Sequence, residues 1–322
     1  MSGDVILGDV ERKRTPGEPL AATDSPELRR HRSYWGESWS SLIQNRPGVA
    51  AGALVLLLSL IALAAPLFSR FVTHFPYDSQ DLNSIFAGFS RQHVLGTDEL
   101  GRDTLTRLIY GARVSLGVGF LTVGLYVLMG GTVGLIAGYY GGWLDDVLMR
   151  FVDMLLAVPT IYLLILITSL LPLTFGPVVI QHDAVSLSIV IAVTAWGGVG
   201  RLVRAEARSI KGRDFLLATR SIGASDFRLM ARHLLPNVLP VLVVAASLGV
   251  GAIILLEAAL DFIGLGVQPP TPSWGNMLFN SQSYFFHSIW LVILPGACVF
   301  VTVVAANVFG NAVRDAFDPR LR

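Results

Sequence analysis

No Asp, Glu, Lys or Arg occurs between Arg113 and Asp145, between Arg232 and Glu257, or between His287 and Arg314. Charge is confined to the segments between such runs, and overall only 15% of the residues are charged while 53% are hydrophobic. A soluble domain carries about 25% charged residues spread over its surface. Uncharged runs this long predict a polytopic membrane protein, because a helix needs about 20 apolar residues to cross the hydrocarbon core. Spans are expected near 49–68, 114–138, 151–171, 185–203, 238–262 and 288–311, giving an all-α integral membrane protein with six transmembrane helices. The first span begins too far from the N-terminus, and lacks the small-residue cleavage site, to be a signal peptide.

Lys and Arg favour the cytoplasmic side of a membrane. Of the 24, nineteen lie in 1–48, 139–150, 201–236 and 312–322, and five in 69–113. The split predicts that both termini and the 204–236 loop are cytoplasmic. The five Arg of 69–113 are interleaved with Asp78, Asp81, Asp98, Glu99 and Asp103, which reads as a folded outer element and not a basic patch. Residues 1–45 are polar and rich in Pro, Gly and charge, and read as a mostly disordered tail. A cysteine at Ser273 is expected to be labelled from outside and one at Ser209 only from inside.

The stretch "FLLATRSIGASDFRLMARHLLP" (215–236) lies between two apolar runs. Asp214 is a plausible helix N-cap, Gly223 suits a left-handed helix end, and Ser225 can cap a second helix. In that helix Phe227, Met230, Ala231, Leu234 and Leu235 follow the spacing of one apolar face, Arg228 and Arg232 share another, and Pro236 is expected to stop the helix at the membrane surface. Periodicity alone leaves two readings open: an amphipathic connector lying on anionic lipid, or a short helical element docking in a partner's groove.

Other residues carry less specific signals. Gly130, Gly134 and Gly138 line one face and permit close helix approach, either within the subunit or against a second one. Glu257 and Asp261, one helical turn apart, are costly inside a span. They read as translocation-path candidates or as structural hydrogen-bonding groups. Asp153 is placed to pair with Arg150 one turn earlier. Pro269, Pro270 and Pro272 bar a regular helix in 264–287, where Trp274, Tyr284 and Trp290 read as interfacial anchors. This external segment also suits an outer gate or a docking surface. No G-x-x-x-x-G-K-[ST] phosphate loop occurs, no Cys/His metal cluster is visible, and Cys298 sits alone in an apolar run. Catalytic residues, a cofactor, a metal and nucleic acid are therefore not expected in this chain.

Ala218, Gly223 and Leu235-Pro236, at that spacing, resemble the EAA loop of ABC-importer permeases. Leu217 stands where that motif has Glu, Thr219 replaces its second Ala, and His233 takes its apolar position. "HVLGTDELGRDTLTRLIYGARVSL" (93–116), "GLIAGYYGGWLDDVLMRFVD" (134–153), "EAALDFIGLGVQPPTPSWGNML" (257–278) and "NVFGNAVRDAFDPRLR" (307–322) resemble the C-type permease of dipeptide, oligopeptide and nickel importers. The resemblance runs from about residue 45 to the end. It implies a type-I ABC importer permease fold in the cytoplasmic (inner) membrane of a prokaryote. It also implies four kinds of partner: a second homologous permease, two ATP-binding subunits that carry ATP and Mg, an extracytoplasmic solute-binding protein and the lipid bilayer. On this resemblance Asp214, Phe215, Leu216, Ala218, Gly223, Ala224, Arg232, Leu235 and Pro236 belong to a coupling loop seated on an ATPase. The chain then divides into a tail (1–45), a first helix with an external loop (46–112), a transmembrane core with coupling loop 204–236 (113–311) and a C-terminal tail (312–322). The expected function is import of di- or oligopeptides. Nickel or another small solute is the alternative within the family, and an ion-coupled secondary transporter or channel the alternative outside it.

Overall fold

A computed structural model describes residues 34–175, 178–279 and 281–318. Helix α1 (Tyr34–Gln44) leads directly into α2 (Arg46–Leu63). Asn45 closes the first turn of α2 by accepting from the Gly48 amide, with Pro47 in the position where a missing N–H costs nothing. A short α3 (Ala65–Phe68) and a π-helical turn, Ser69–Thr73, end this first crossing. The expectation of disorder for 1–33 lies outside the described residues, but 34–44 is helical and not part of a disordered tail.

Helix α4 (Thr104–Tyr140) is the longest element and starts nine residues before the boundary expected at 113. Asp103 caps it by accepting from the Thr106 amide, and Gly141, at φ 69°, ends it. The third span is not one straight helix over 151–171. It consists of α5 (Gly142–Ala157) and α6 (Thr160–Ser169), bent by 81°. Val158 is extended there (φ −94°, ψ 126°), as a residue before proline prefers, and Pro159 cannot continue the helical hydrogen bonding. A minimal hairpin follows, β1 (Leu173–Phe175) antiparallel to β2 (Val178–Ile180). The remaining elements are helical: α7 (Ala184–Ala195), capped by Asp183; α8 (Gly197–Lys211), bent by 48° from α7; α9 (Asp214–Ser221) and α10 (Asp226–Leu229). A π-helical turn, Met230–Leu234, joins α10 to α11 (Leu235–Phe262). A four-residue α12 (Ser281–Tyr284) then precedes α13 (Trp290–Phe317). Four unbroken helices and the two bent pairs are long and apolar enough to cross a membrane, six crossings among the described residues.

α4 is the centre of the bundle, packed on α2, α7, α8 and α11, while α13 packs between α11 and α2. Trp274 donates its indole N–H to the Leu108 carbonyl (3.0 Å), near the start of α4. Tyr139, at its far end, donates to Asp226 (2.6 Å). The 263–289 segment and the 204–236 segment therefore lie at opposite ends. The Trp35 and Phe317 rings meet at 5.4 Å. Since Phe317 ends a helix whose first residue, Trp290, meets the Phe89 ring at the other end (5.4 Å, tilted), both described chain ends lie at the 204–236 end. The described part of 312–322, up to Phe317, is helix and not a tail.

The polar segment before α4 is folded, as its interleaved charges suggest. Arg102 binds Asp98 (2.7 Å) and Glu99 (2.6 Å), Arg107 reaches Asp98 (3.2 Å), and His93 pairs with Asp103 (3.0 Å). Five of these groups, His93, Asp98, Arg102, Asp103 and Arg107, are almost fully buried, so the segment is held by paired polar and charged groups that cannot lose a partner singly without cost. Gly101 adopts φ 71°, and a β-carbon there would sit 1.8 Å from the Asp81 carbonyl oxygen. Only glycine lets the two strands of the loop approach so closely.

Ser273 corrects one expectation. It is fully buried, so a cysteine there reports nothing about sidedness. Ser79 and Ser209 are exposed at opposite ends. In a Cys298→Ser background, an impermeant maleimide added to intact cells is expected to label Ser79→Cys at once and Ser209→Cys only after permeabilisation. Labelling of both from one side would refute the odd number of crossings between them, and with it the orientation.

Candidate functional site

The 204–236 segment is braced from below. Arg204 clamps the buried Asp145 with two bonds (2.5 and 2.6 Å), tying α8 to α5, and Arg208 approaches the same carboxylate at 3.8 Å. Asp153 pairs with Arg201 and not with Arg150, so the contact joins α5 to α8 instead of staying within one helix. Lys211 lies over the Tyr139 ring (5.5 Å). Together with the Tyr139–Asp226 bond, these contacts fasten both limbs of the segment to the ends of α4 and α5.

Arg213, not Asp214, occupies the cap position of α9. Asp214 is the first helical residue, where a negative charge still favours the helix N-terminus. Leu216 points into the bundle and anchors α9. Gly223 has φ 87°, the left-handed conformation expected of it, and a β-carbon there would meet no atom within 4 Å. The need for glycine is thus one of backbone conformation, not of space. Ser225 caps α10 by accepting from the Arg228 amide. Pro236 does not stop a helix: Asp226–Phe262 runs unbroken, with the proline near the start of α11. In the π turn before it Leu235 N–H bonds to the Met230 carbonyl. This wider turn shifts the ladder where the proline has no N–H to give.

The anticipated single apolar face divides in two. Leu234 is buried and Met230 half-buried, whereas Phe227, Ala231 and Leu235 face outward; Leu229, outside that stripe, is buried. Phe215, Leu217, Ile222 and Phe227 are all exposed apolar side chains of this segment, Ile222 at 85% and Phe227 at 77%. Ala218, Arg232 and Pro236 are also exposed, and Ala224 is half-buried. Ile222 was missed by sequence reasoning because it belongs to no periodic stripe. Its only signal is its position immediately before the glycine turn.

Gly130, Gly134 and Gly138 all face α8. Added β-carbons would lie 2.7 Å from the Trp196 carbonyl oxygen, 2.4 Å from that of Gly200 and 2.7 Å from the Ala207 β-carbon, respectively. Close approach within one subunit accounts for all three, and none is left over for a contact with a second subunit.

Glu257 and Asp261 are sealed inside the chain. Ser115 donates to Glu257 (3.1 Å), and its oxygen accepts from the Trp274 amide (3.2 Å). Asp261 accepts from the Val267 amide (2.7 Å) and the Ser273 hydroxyl. Asn276 adds bonds to the carbonyls of Val267 (3.0 Å) and Thr271 (2.8 Å). These contacts fold 265–278 back into the bundle, and Trp274 is a core residue there, not an interfacial anchor. Trp290 remains half-exposed. Hydrogen bonds to a carboxylate contribute about 1.5–3 kcal/mol each. Asp261→Ala is therefore expected to speed proteolytic cleavage within 265–278 and lower the unfolding midpoint in detergent, with Asp261→Asn milder. Unchanged cleavage for Asp261→Ala would show that the carboxylate does not hold this segment.

A family profile described as binding-protein-dependent transport system inner membrane component matches residues 130–322. A second, described as the N-terminal TM domain of oligopeptide transport permease C, matches 33–88. The chain is 38% identical over 290 residues to the dipeptide transport system permease protein DppC of Alkalihalophilus pseudofirmus, covering 90% of this chain and 91% of that one. It is 36% identical over 294 residues to the glutathione transport system permease protein GsiD of Pectobacterium atrosepticum (90% and 93%). It is 37% identical over 294 residues to the di/tripeptide transport system permease protein DppC of Pseudomonas aeruginosa (89% and 92%).

Proposed function

This chain belongs to the family of binding-protein-dependent transport system inner membrane components, and we propose that it forms one half of the path of a peptide importer, driven through 204–236 by ATP-hydrolysing partners. It is a multi-pass permease subunit of an ABC importer, not an enzyme. A second homologous permease supplies the other half, two ATP-binding subunits carry ATP and Mg, and an extracytoplasmic binding protein delivers the solute. Both termini and 204–236 face the cytoplasm.

The observation that carries the coupling role is the exposed apolar tip of Phe215, Leu217, Ile222 and Phe227 on a braced base. A lipid-surface connector needs an apolar face but no rigid mounting. A force-transmitting element needs both, and here the Asp145–Arg204 clamp and the Tyr139–Asp226 bond supply the mounting. A helical element set in a partner's groove buries its apolar tip there. Peptide is the favoured solute because the relatives named above carry dipeptides, di/tripeptides and glutathione. An ion relay through Glu257 and Asp261 is disfavoured, since both carboxylates are enclosed, Glu257 held by Ser115 of α4 and Asp261 by the Val267 amide of the following loop.

The test is uptake by proteoliposomes holding the complete importer. ATP-dependent accumulation of labelled di- or tripeptides, and none of nickel, is expected. Nickel uptake without peptide uptake would overturn the substrate class while leaving the coupling role intact.

A further inference from the structure

An apolar groove of about 700 Å³ opens where α1 crosses the ends of the longer helices. Its walls include Trp35 and Trp39 of α1, Phe120 and Gly124 of α4, Val250 of α11 and Phe317 of α13. Among the described residues, Ser38 and Ser247 are the only hydroxyl-bearing ones in an otherwise apolar lining. On α13 the lining runs from Ala306 to Phe317, which at 1.5 Å per residue is roughly 16 Å. That is about half of a hydrocarbon core near 30 Å thick, the depth of one leaflet. The groove thus begins at the helix ends near 204–236 and stops near the midplane.

We propose that the groove holds an acyl chain of an anionic phospholipid from the leaflet on the 204–236 side, with the headgroup at Arg46. Three features support this occupant over a protein helix. The first is its one-leaflet depth. The second is α1 itself, where Trp39 at the groove's edge and Ile43 are 65% and 55% exposed, as in a helix lying in the interface with its aromatic rings at headgroup level. The third is charge: exposed Arg46 follows α1 directly, and Arg29, Arg30 and Arg32 precede it in the sequence. Basic residues at a membrane surface draw anionic headgroups. The bound chain fills the space between α1 and the bundle and so joins the N-terminal helix to the transport core.

Gly124 provides the means of testing this. A β-carbon there meets no atom within 4 Å, so a side chain can start from this position without a backbone clash, and Phe at 124 is chosen to compete with the acyl chain for the groove it lines. The complete importer is purified from nanodiscs of mixed phosphatidylglycerol and phosphatidylcholine, stripped with detergent and weighed by native mass spectrometry. The wild type is expected to retain phosphatidylglycerol, Gly124→Phe to lose it, and Arg46→Ala to lower the preference for it over phosphatidylcholine several-fold. A photoreactive residue at Leu42, in otherwise native protein, is expected to capture lipid. Equal lipid retention by Gly124→Phe would overturn the proposal, as would capture of the second permease or of residues 1–33 at Leu42. The Leu42 arm decides the matter if Gly124→Phe fails to assemble.

Discussion

Gly134→Ala is expected to remove most of the folded chain from the membrane. The new methyl group would lie 2.4 Å from the Gly200 carbonyl oxygen, 2.8 Å from the Val203 β-carbon and 3.0 Å from the Arg204 amide nitrogen. Two of those atoms are backbone, so no side-chain rotation relieves the contact, and α4 must move away from α8. Overpacking a close-packed site costs about 1–3 kcal/mol, and the upper end applies where backbone must shift. The displacement also pulls Arg204 from Asp145, which breaks a mostly buried ion pair. Gly117, on the same helix, is the matched control: nothing lies within 4 Å of its added β-carbon. Quantitative immunoblotting of membranes should show a several-fold loss for Gly134→Ala and normal abundance for Gly117→Ala. Equal abundance of the two would mean that the α4–α8 approach does not limit folding.

Gly223→Val is expected to give the reverse phenotype, normal abundance with at least a tenfold loss of peptide uptake. At φ 87° a β-branched side chain costs about 1–3 kcal/mol in backbone strain. The turn between α9 and α10 is therefore expected to rearrange and displace Ile222 and Phe227. The space around Gly223 is open and Ile222 beside it is exposed, so the six crossings are expected to be unaffected. Gly223→Asn is the discriminating partner, because Asn tolerates the left-handed region. It should retain a large share of uptake although its side chain is as large as valine's. Similar loss in both variants would place the requirement in size and not in conformation.

The crossings were legible because lipid imposes the simplest rule in the sequence: no charge along a helix-length run. The hinge residue Gly223, the cap Ser225 and the folded character of 69–103 were legible because each rests on a local rule. What failed depended on contacts distant in sequence. Trp274 read as an interfacial anchor because an aromatic residue in a loop fits either role, and its partner, the Leu108 carbonyl, lies 166 residues away. Asp153 reads as the partner of Arg150 because only local pairs are visible in a sequence, whereas the packing of α8 on α5 presents Arg201 to it. The bend itself was signalled by Pro159 and hidden by the uniform hydropathy around it. Pro236 misled for the opposite reason. A proline alone indicates a stop, and the π turn that carries the helix past it leaves no mark in composition. Ile222 escapes notice because periodicity assigns apolar residues to buried stripes, while Ile222 stands exposed beside a glycine turn.

The central claim is that the tip of 204–236 sits on an ATP-binding subunit. Its most direct test is a photoreactive residue at Ile222 in the complete, reconstituted importer, with adducts identified by mass. The account predicts capture of an ATP-binding subunit, strongly reduced in Gly223→Val. Capture of lipid alone, in an importer that still takes up peptide, would contradict it and return the segment to the role of a membrane-surface connector.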